Sequence, residues 1–508
     1  MTPLFTIAEL RAIEHAAAQR LPDGALMQRA GQAGANAALD LLPSTIDRAK
    51  VLVLAGPGNN GGDALEAAAH LGHAGAQVTI LHFPPAGTAA PERIDALQRA
   101  RSSPASFAAI NSAADARAVA SSTEWNLVVD GLFGIGLTRP IAGDFAELVT
   151  AVNDLACPII ALDVPSGLDS DTGAIVGGES AGIAVRATHT VTFIGDKPGL
   201  HTAEGRDHAG LVIVNSLEID HELFPAAGAK LNDMVLFAHC ARRRRHSSHK
   251  GSHGSVAVVG GARGMAGAPL LAARTALNSG AGRVYACFVG EPPAFDAAQP
   301  ELMCRSGQEY DFNSAVLVIG PGMGGSAASA EMLASALHSQ SAVVLDADAL
   351  NLLAGSEALR TQLAQRKASC ILTPHPLEAA RLLGISAADV QADRPAAARV
   401  LAERLAATVV LKGSGTVIAA RDGAIVINTT GNPALATAGT GDVLSGLCGS
   451  LLAQGWPEWE AALAGVWLHG MAADLLVTEG AGPIGLTAGE LIPAIRAEVN
   501  RLAADYGS

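Results

Sequence analysis

Residues 56–65 read GPGNNGGDAL, between the apolar run VLVLA (51–55) and the alanine-rich EAAAHLGHAG (66–75). A strand, a glycine turn and a helix in that order aim backbone N–H groups and the positive helix end at one point, a seat for phosphate. Gly56, Gly58 and Gly61 satisfy the dinucleotide pattern G-x-G-x-x-G. A dinucleotide site of that kind also needs an acidic residue closing the second strand, where it takes a ribose hydroxyl. The second predicted strand closes on His82-Phe83-Pro84 instead. The turn carries Asn59, Asn60 and Asp63 as well, and a loop that only cradles an anion gains nothing from a carboxylate. The unit points to an α/β fold, and its polar residues call for a ligand richer than a phosphate.

The same alternation extends outward. Strands are predicted at VLVLA, VTILHF (78–83), LVVDGL (127–132), PIIALDV (158–164), TVTFIG (190–195) and LVIVNS (211–216), with helical patterns between most of them. That reads as a doubly wound, Rossmann-like parallel sheet over residues 1–225. The pattern decays over 226–245, read as a linker ending in Arg242–Arg245. A second α/β domain is predicted over 246–508, with strands at 256–261, 283–289, 315–320, 342–348, 369–373 and 408–412 and a hairpin around Asp422-Gly423. MTPLFTIAELRAIEHAAAQR reads as an amphipathic helix with a Thr6/Glu9 capping box, not a secretory leader.

The 508 residues, 49% hydrophobic and 16% charged, suffice for two to four domains at roughly 100–200 residues each. No uninterrupted apolar run reaches the roughly 18 residues of a membrane span, and a net charge of −14 argues against general nucleic-acid binding. Six scattered cysteines without C-x-x-C suggest buried thiols in a reducing cytoplasm. The arginine run reads as a solvated segment. His246, His249 and His253 lack the cysteine or carboxylate that would complete a metal site.

Two more strand ends carry polar residues: Asp130 in VVDGLFGIGLTRP, and Asp163 with Ser166 in ALDVPSGLDSDTG. Strand C-termini of an open parallel sheet line one crevice, so Asp63, Asp130 and Asp163 are expected to converge there. Carboxylates that close repel unless a cation or shared proton intervenes, and asparagine, serine and backbone oxygens are hard ligands for such a cation. Asp169 and Asp171 read as turn residues.

GPGNNGGDA, DGLFGIGLTRP and ALDVPSGLD, in this order and spacing, resemble the NAD(P)H-hydrate epimerase family over residues 1 to about 220. The resemblance implies a potassium ion held by Asn60, Asp130 and Ser166. It implies substrate contacts from Asn59, Asn60, Gly61, Gly62 and Asp63, from Gly134, Ile135, Gly136, Leu137, Thr138, Arg139 and Pro140, and from Asp163, which is taken as the acid/base at carbon 6. Ala64 stands where the family usually has glycine, and Phe145 where a tyrosine is expected.

In the C-terminal half GPGMGG (320–325) again fits G-x-G-x-x-G, with Asp346 about 20 residues on. NTTGNPALATAGTGDVLSG (428–446) suggests different chemistry. Gly439, Thr440 and Gly441 would present amides at a helix start, an anion hole for a transferring phosphoryl group. Asp442 beside them would accept a proton from an attacking hydroxyl. This GTGD start resembles the ribokinase-like superfamily. With HKGSHGSVAVVGG, VIGPGMG, LDADALN, LTPHPLEAARLL and LKGSGTVIA it resembles the ADP-dependent NAD(P)H-hydrate dehydratase family over about 246–500.

The resemblance implies hydrate contacts at Ala268, Gly322, His375 and Asp442. It implies nucleotide contacts at Lys412, Gly413, Ser414, Gly415, Thr416 and Gly441, with ADP as co-substrate and a magnesium ion. Together the halves resemble the bifunctional NAD(P)H-hydrate repair family. The expected function is epimerisation of hydrated NADH and NADPH at carbon 6, followed by ADP-driven dehydration of the S form to NAD(P)H, AMP and phosphate. A cytoplasmic homo-oligomer without nucleic-acid or membrane partners is expected. The alternatives are a small-molecule kinase of the hydroxymethylpyrimidine or hydroxyethylthiazole type, or a non-catalytic N-terminal module.

Overall fold

The computed structural model describes residues 2–507 except Ser44, Asn111, Glu179 and Ser180. The chain divides into two compact units, Thr2–Ala229 and Lys230–Ser508.

In the first unit, β1 (Lys50–Ala55), β2 (Gln77–His82), β3 (Ser106–Phe107), β4 (Leu127–Gly131), β5 (Ile159–Leu162), β6 (His189–Phe193) and β7 (Leu211–Asn215) form one parallel sheet. Its order is β3-β2-β1-β4-β5-β6-β7. Val51–Ala55 are wholly buried, as befits a parallel strand shielded on both faces. The strand order reverses between β1 and β4, and a crevice opens at such a switch point. Register pairs Ala55 with Gly131, so Gly56 meets the start of the next loop. A Cβ on Gly56 would lie 1.8 Å from the Leu132 carbonyl oxygen, so only glycine allows the two loops to meet. Helix α1 (Ile7–Ala18) starts on the Thr6/Glu9 capping box, α2 (Ala25–Leu41) packs on α3, and α3 (Asn59–His73) follows β1 directly. A cap of this kind contributes about 1 kcal/mol.

In the second unit the strands are β8 (Ser255–Gly260), β9 (Arg283–Phe288), β10 (Met303–Ser306), β11 (Val316–Ile319), β12 (Val343–Leu345), β13 (Cys370–Leu372), β14 (Thr408–Leu411), β15 (Val417–Ala419) and β16 (Ile425–Ile427). These nine lie in the order β16-β15-β14-β13-β12-β11-β8-β9-β10, and the short strand Ala229–Leu231 borders β16. The pairing is parallel except for the antiparallel β14-β15-β16 end. Helices α4 (Gly267–Asn278), α5 (Pro376–Leu383), α6 (Thr440–Ala453) and α7 (Glu458–Thr478) bear on the site or the core. Among the described residues α7 is long and apolar enough to cross a membrane, yet most of it is buried in this unit's core.

The predicted strands agree with these to within a few residues. Ser106–Phe107 and Met303–Ser306 escape prediction because two- and four-residue edge pieces carry no apolar run. The stretch 226–245 departs from its reading as a linker. Phe237 is fully buried and meets Trp467 at 5.9 Å, and Asn232 Nδ2 donates to Asn428 Oδ1 at 2.9 Å. Asn232 follows the three-residue strand Ala229–Leu231, and Phe237 lies between two short 3₁₀ turns, so neither the helical nor the strand period marks them. Arg243 donates to the Ala504 carbonyl and Arg244 to that of Gly280, at the ends of two helices. All four arginines are exposed, as a solvated run should be, and these two add helix C-terminal contacts favourable for a cation.

Candidate active sites

A cleft of about 1140 Å³ opens in the first unit at the strand C-termini. Asn59, Asn60, Asp63, Gly134–Arg139 and Asp163 line it, together with Glu14 and Lys197. Three expected contacts fall outside the lining. A Cβ on Gly61 would lie 1.9 Å from the Gly56 carbonyl oxygen, and one on Gly62 2.5 Å from Met27 Cε, so both are packed against protein. Pro140 sits over Gly177. Ala64 lies inside α3, and its methyl fits because Gly131 opposite has none: a Cβ there would come within 2.4 Å. Phe145 packs between Phe83 and Phe133, with ring centroids at 4.8 and 5.1 Å.

Asp130 is wholly buried at the end of β4. It accepts from Ser166 N at 2.9 Å, Ser166 Oγ at 2.7 Å and Leu132 N at 3.2 Å. Burial pushes its carboxyl up to about 6 against the pull of these hydrogen bonds. Asn60 is buried too, and neither its Oδ1 nor its Nδ2 has a protein partner. A buried amide without partners costs about 1–3 kcal/mol unless a ligand satisfies it. Burial and the charge of Asp163 raise Asp63 well above the usual carboxylate range. Burial and Asp163 likewise raise Glu14.

Asp163 adopts φ 66°, a left-handed conformation uncommon outside glycine. Its Oδ1 lies 2.7 Å from Lys197 Nζ. Lys197 escapes the sequence reading; the available signal is its place in GDKPGL, at the end of the strand beside that of Asp163. Arg93 escapes it too. This buried guanidinium donates to the carbonyls of Gly56, Gly58 and Phe83 and so holds the opening loop. Asp169 Oδ1 accepts from Asp171 N and Thr172 N, the expected turn.

In the second unit, Lys412 Nζ lies 2.8 Å from Asp346 Oδ1 and 4.0 Å from Glu378 Oε2. Asp346 therefore serves an ion pair and not the ribose site that its spacing from GPGMGG suggests. A Cβ on Gly441 would stand 3.2 Å from Lys412 Nζ, so the ammonium adjoins the first turn of α6. Asp442 follows Gly441, and burial and the charge of Asp346 push it up to about 7. Glu378 is pushed up to about 7 by burial. His375 caps α5: its Nδ1 accepts from Leu377 N and Glu378 N, which leaves the proton of the neutral ring on Nε2. Burial lowers its affinity for a second proton. Gly322 adjoins Ala268: a Cβ there would lie 3.3 Å from that of Ala268. Lys412–Thr416 forms the turn between β14 and β15, steadied by Thr416 Oγ1 donating to the Gly413 carbonyl. The nearby buried Arg394 donates to the Leu411 and Lys412 carbonyls.

Two family models match. One, described as YjeF-related protein N-terminus, covers residues 23–199, and one described as NAD(P)H-hydrate dehydratase covers 256–496. The bifunctional NAD(P)H-hydrate repair enzyme of Coxiella burnetii is 38% identical over 98% of this chain and 100% of its own length. The chain belongs to the bifunctional NAD(P)H-hydrate repair enzyme family. The Escherichia coli member is 36% identical over 94% of this chain and 89% of its own. An ADP-dependent (S)-NAD(P)H-hydrate dehydratase of Neisseria meningitidis is 48% identical over 54% of this chain and 94% of its own. An ADP/ATP-dependent NAD(P)H-hydrate dehydratase structure from Bacillus subtilis covers 55% of the chain at 30% identity, with a TM-score of 0.48.

The residues of the first unit fit the potassium ion that the family resemblance implies. The donor set is oxygen only, and the Asn60 amide is buried without a partner. Among the described residues no group of three or more His, Cys, Asp or Glu could hold a metal. A magnesium ion in the second unit would arrive on nucleotide phosphates.

Proposed function

We propose that this chain repairs hydrated NADH and NADPH in two steps, one in each unit. The observation that carries the reading is the meeting of Asp442, Lys412 and the first turn of α6. It combines a carboxylate poised near neutrality, a cation and backbone amides at one point, the set a phosphoryl transfer needs. Hydration places a hydroxyl on carbon 6 of the nicotinamide ring, and hydroxide is a poor leaving group. Asp442 takes the proton of that hydroxyl as its oxygen attacks the terminal phosphorus of ADP. The bridging P–O bond breaks and AMP leaves. The phosphate on carbon 6 then departs with its bonding pair as the ring nitrogen lone pair forms the iminium, and loss of the carbon-5 proton restores the dihydropyridine.

Lys412 and the Gly439–Gly441 amides would neutralise phosphoryl charge. Ser414, Gly415 and Thr416 would bear the rest of the nucleotide, and Ala268, Gly322 and His375 would bound the hydrate. A magnesium ion would supply further neutralisation of phosphate charge.

In the first unit Asp163 would give a proton to the carbon-6 hydroxyl. Water departs as the ring nitrogen lone pair forms a planar iminium cation. Water returns to the opposite face and its extra proton goes back to Asp163, which inverts carbon 6. Asp63 and Glu14 share this cleft; burial and the Asp163 charge favour their protonated forms, and a cation developing beside them would draw them toward ionisation. Potassium held by Asn60, Asp130 and Ser166 would fix the loops that bound the substrate.

Product analysis tests the reading. Without ADP, pure S-hydrate is expected to become a mixture of epimers. With ADP, both epimers are expected to disappear, with NAD(P)H, AMP and phosphate appearing in equal amounts. Accumulation of a stable phosphoester would indicate a small-molecule kinase, and persistence of the R form would remove the epimerase.

A further inference from the structure

Lys197 is 1% exposed, at a position where an ammonium needs every proton matched. Its Nζ donates to Thr192 Oγ1 at 2.5 Å, to the Phe193 carbonyl at 3.1 Å and to the Gly195 carbonyl at 3.3 Å. Its fourth neighbour is Asp163 Oδ1 at 2.7 Å. Four acceptors surround three protons, so Lys197 has no donor to spare for a substrate. Phe193 N also points to Asp163 Oδ1, at 3.4 Å. The protein thus ties one carboxylate oxygen twice. The other, Oδ2, lies toward the Gly134 loop of the cleft: a Cβ on Gly134 would be 3.5 Å from it and 3.3 Å from Asn60 Cβ.

We propose that Lys197 is the positioning residue of the epimerase site, fixing Asp163 through Oδ1 so that Oδ2 is the oxygen that exchanges a proton with the substrate. The inference rests on the acid/base reading of Asp163 and adds which oxygen reacts and what aims it. Three anchors besides Asp163 hold the ammonium rigidly, and a carboxylate tied at one oxygen can turn only about that contact. Precise aim of this kind is where positioned catalysis gains most, since small displacements cost orders of magnitude in rate.

The experiment uses the full chain without ADP, with pure S-hydrate and chromatographic separation of the epimers. Lys197→Met keeps the length and apolar stem and removes the charge. It is expected to lower kcat for epimerisation by about 10²-fold, with KM changed less than about threefold, because the interaction acts on the transition state and not on binding. Thr192→Val removes one anchor and leaves the ammonium in place. It is expected to lower kcat about tenfold, the worth of one hydrogen bond to a charged group, again without a change in KM. If Lys197→Met does not fold, Thr192→Val decides the matter alone. Wild-type kcat in either folded variant, or a loss confined to KM, overturns the proposal. Asp163→Asn separates the two levels. Normal epimerisation by that variant removes the acid/base reading itself, whereas an inactive Asp163→Asn beside an unimpaired Lys197→Met removes only the role of Lys197.

Discussion

Lys412 Nζ and Asp346 Oδ1 meet at 2.8 Å across 66 residues of sequence, joining the C-terminal ends of β14 and β12. Asp346 is almost fully buried and the Lys412 side chain only 20% exposed, so removing the carboxylate leaves an ammonium with little water to replace it. Breaking such a pair costs about 3 kcal/mol. Asp346→Ala is expected to lower the denaturation midpoint of the second unit and to abolish dehydration. Epimerisation, in the other unit, is expected to continue. Denaturant titration with both activities measured on one preparation checks this.

Asp442 predicts a pH dependence. Its ionised form is the base, and burial with the Asp346 charge pushes its titration up to about 7. Dehydration kcat is therefore expected to rise with pH between 6 and 8. Asp442→Asn is expected to lose that limb and to fall about 10²–10⁴-fold, the usual worth of a general base. Linkage gives a second sign. A carboxyl raised in the folded state stabilises the fold while protonated, and that contribution is lost as pH rises through about 7. The wild type is expected to lose stability relative to Asp442→Asn between pH 6 and 8, as chemical denaturation at the two values would show.

The glycine turns, the strand ends and Asp163 were legible because each lies where an apolar run stops, and parallel topology carries such points to one edge. Lys197, Glu378 and Asp346 as an ion-pair partner were not, because what defines them is a neighbour from another strand end. Asp346 even sat at the spacing of a ribose-binding acid, and only the Lys412 contact gives it a different task. Gly61 and Gly62 illustrate the converse. Their motif is real, but they serve close packing and stay out of the cleft lining.

The position of Phe237 predicts where the second unit can be cut. The fragment 230–508 keeps Phe237, Ala238 and Ala241 in the core, and 246–508 lacks all three. Loss of a buried phenyl ring alone costs about 3–5 kcal/mol. The longer fragment is expected to fold and to dehydrate S-hydrate with ADP, leaving R-hydrate behind where spontaneous epimerisation is slow. The shorter is expected to melt well below it. Thermal melts of the two fragments, followed by epimer-resolved assays, test both statements.

Asn60 carries the last prediction. Its amide is buried with both polar atoms unpartnered, whereas Asp130 and Ser166 beside the cleft satisfy much of each other's demand. If a potassium ion completes the Asn60 shell, the ion binds the folded unit and not the unfolded chain, so potassium must stabilise it by mass action. The melting temperature of the first unit is expected to rise with potassium chloride but not with an equal concentration of tetramethylammonium chloride, which is too large for such a site. Asn60→Ala removes one ligand and Asp130→Ala another with its charge. Each is expected to abolish the potassium-dependent rise, and the two losses should not add, because residues that share a partner are coupled. Dehydration of S-hydrate should persist in both variants. A melting temperature indifferent to potassium in the wild type, or an undiminished rise in Asn60→Ala, would mean that GPGNNGGDAL meets the substrate alone and that the Asn60 amide finds its partners there.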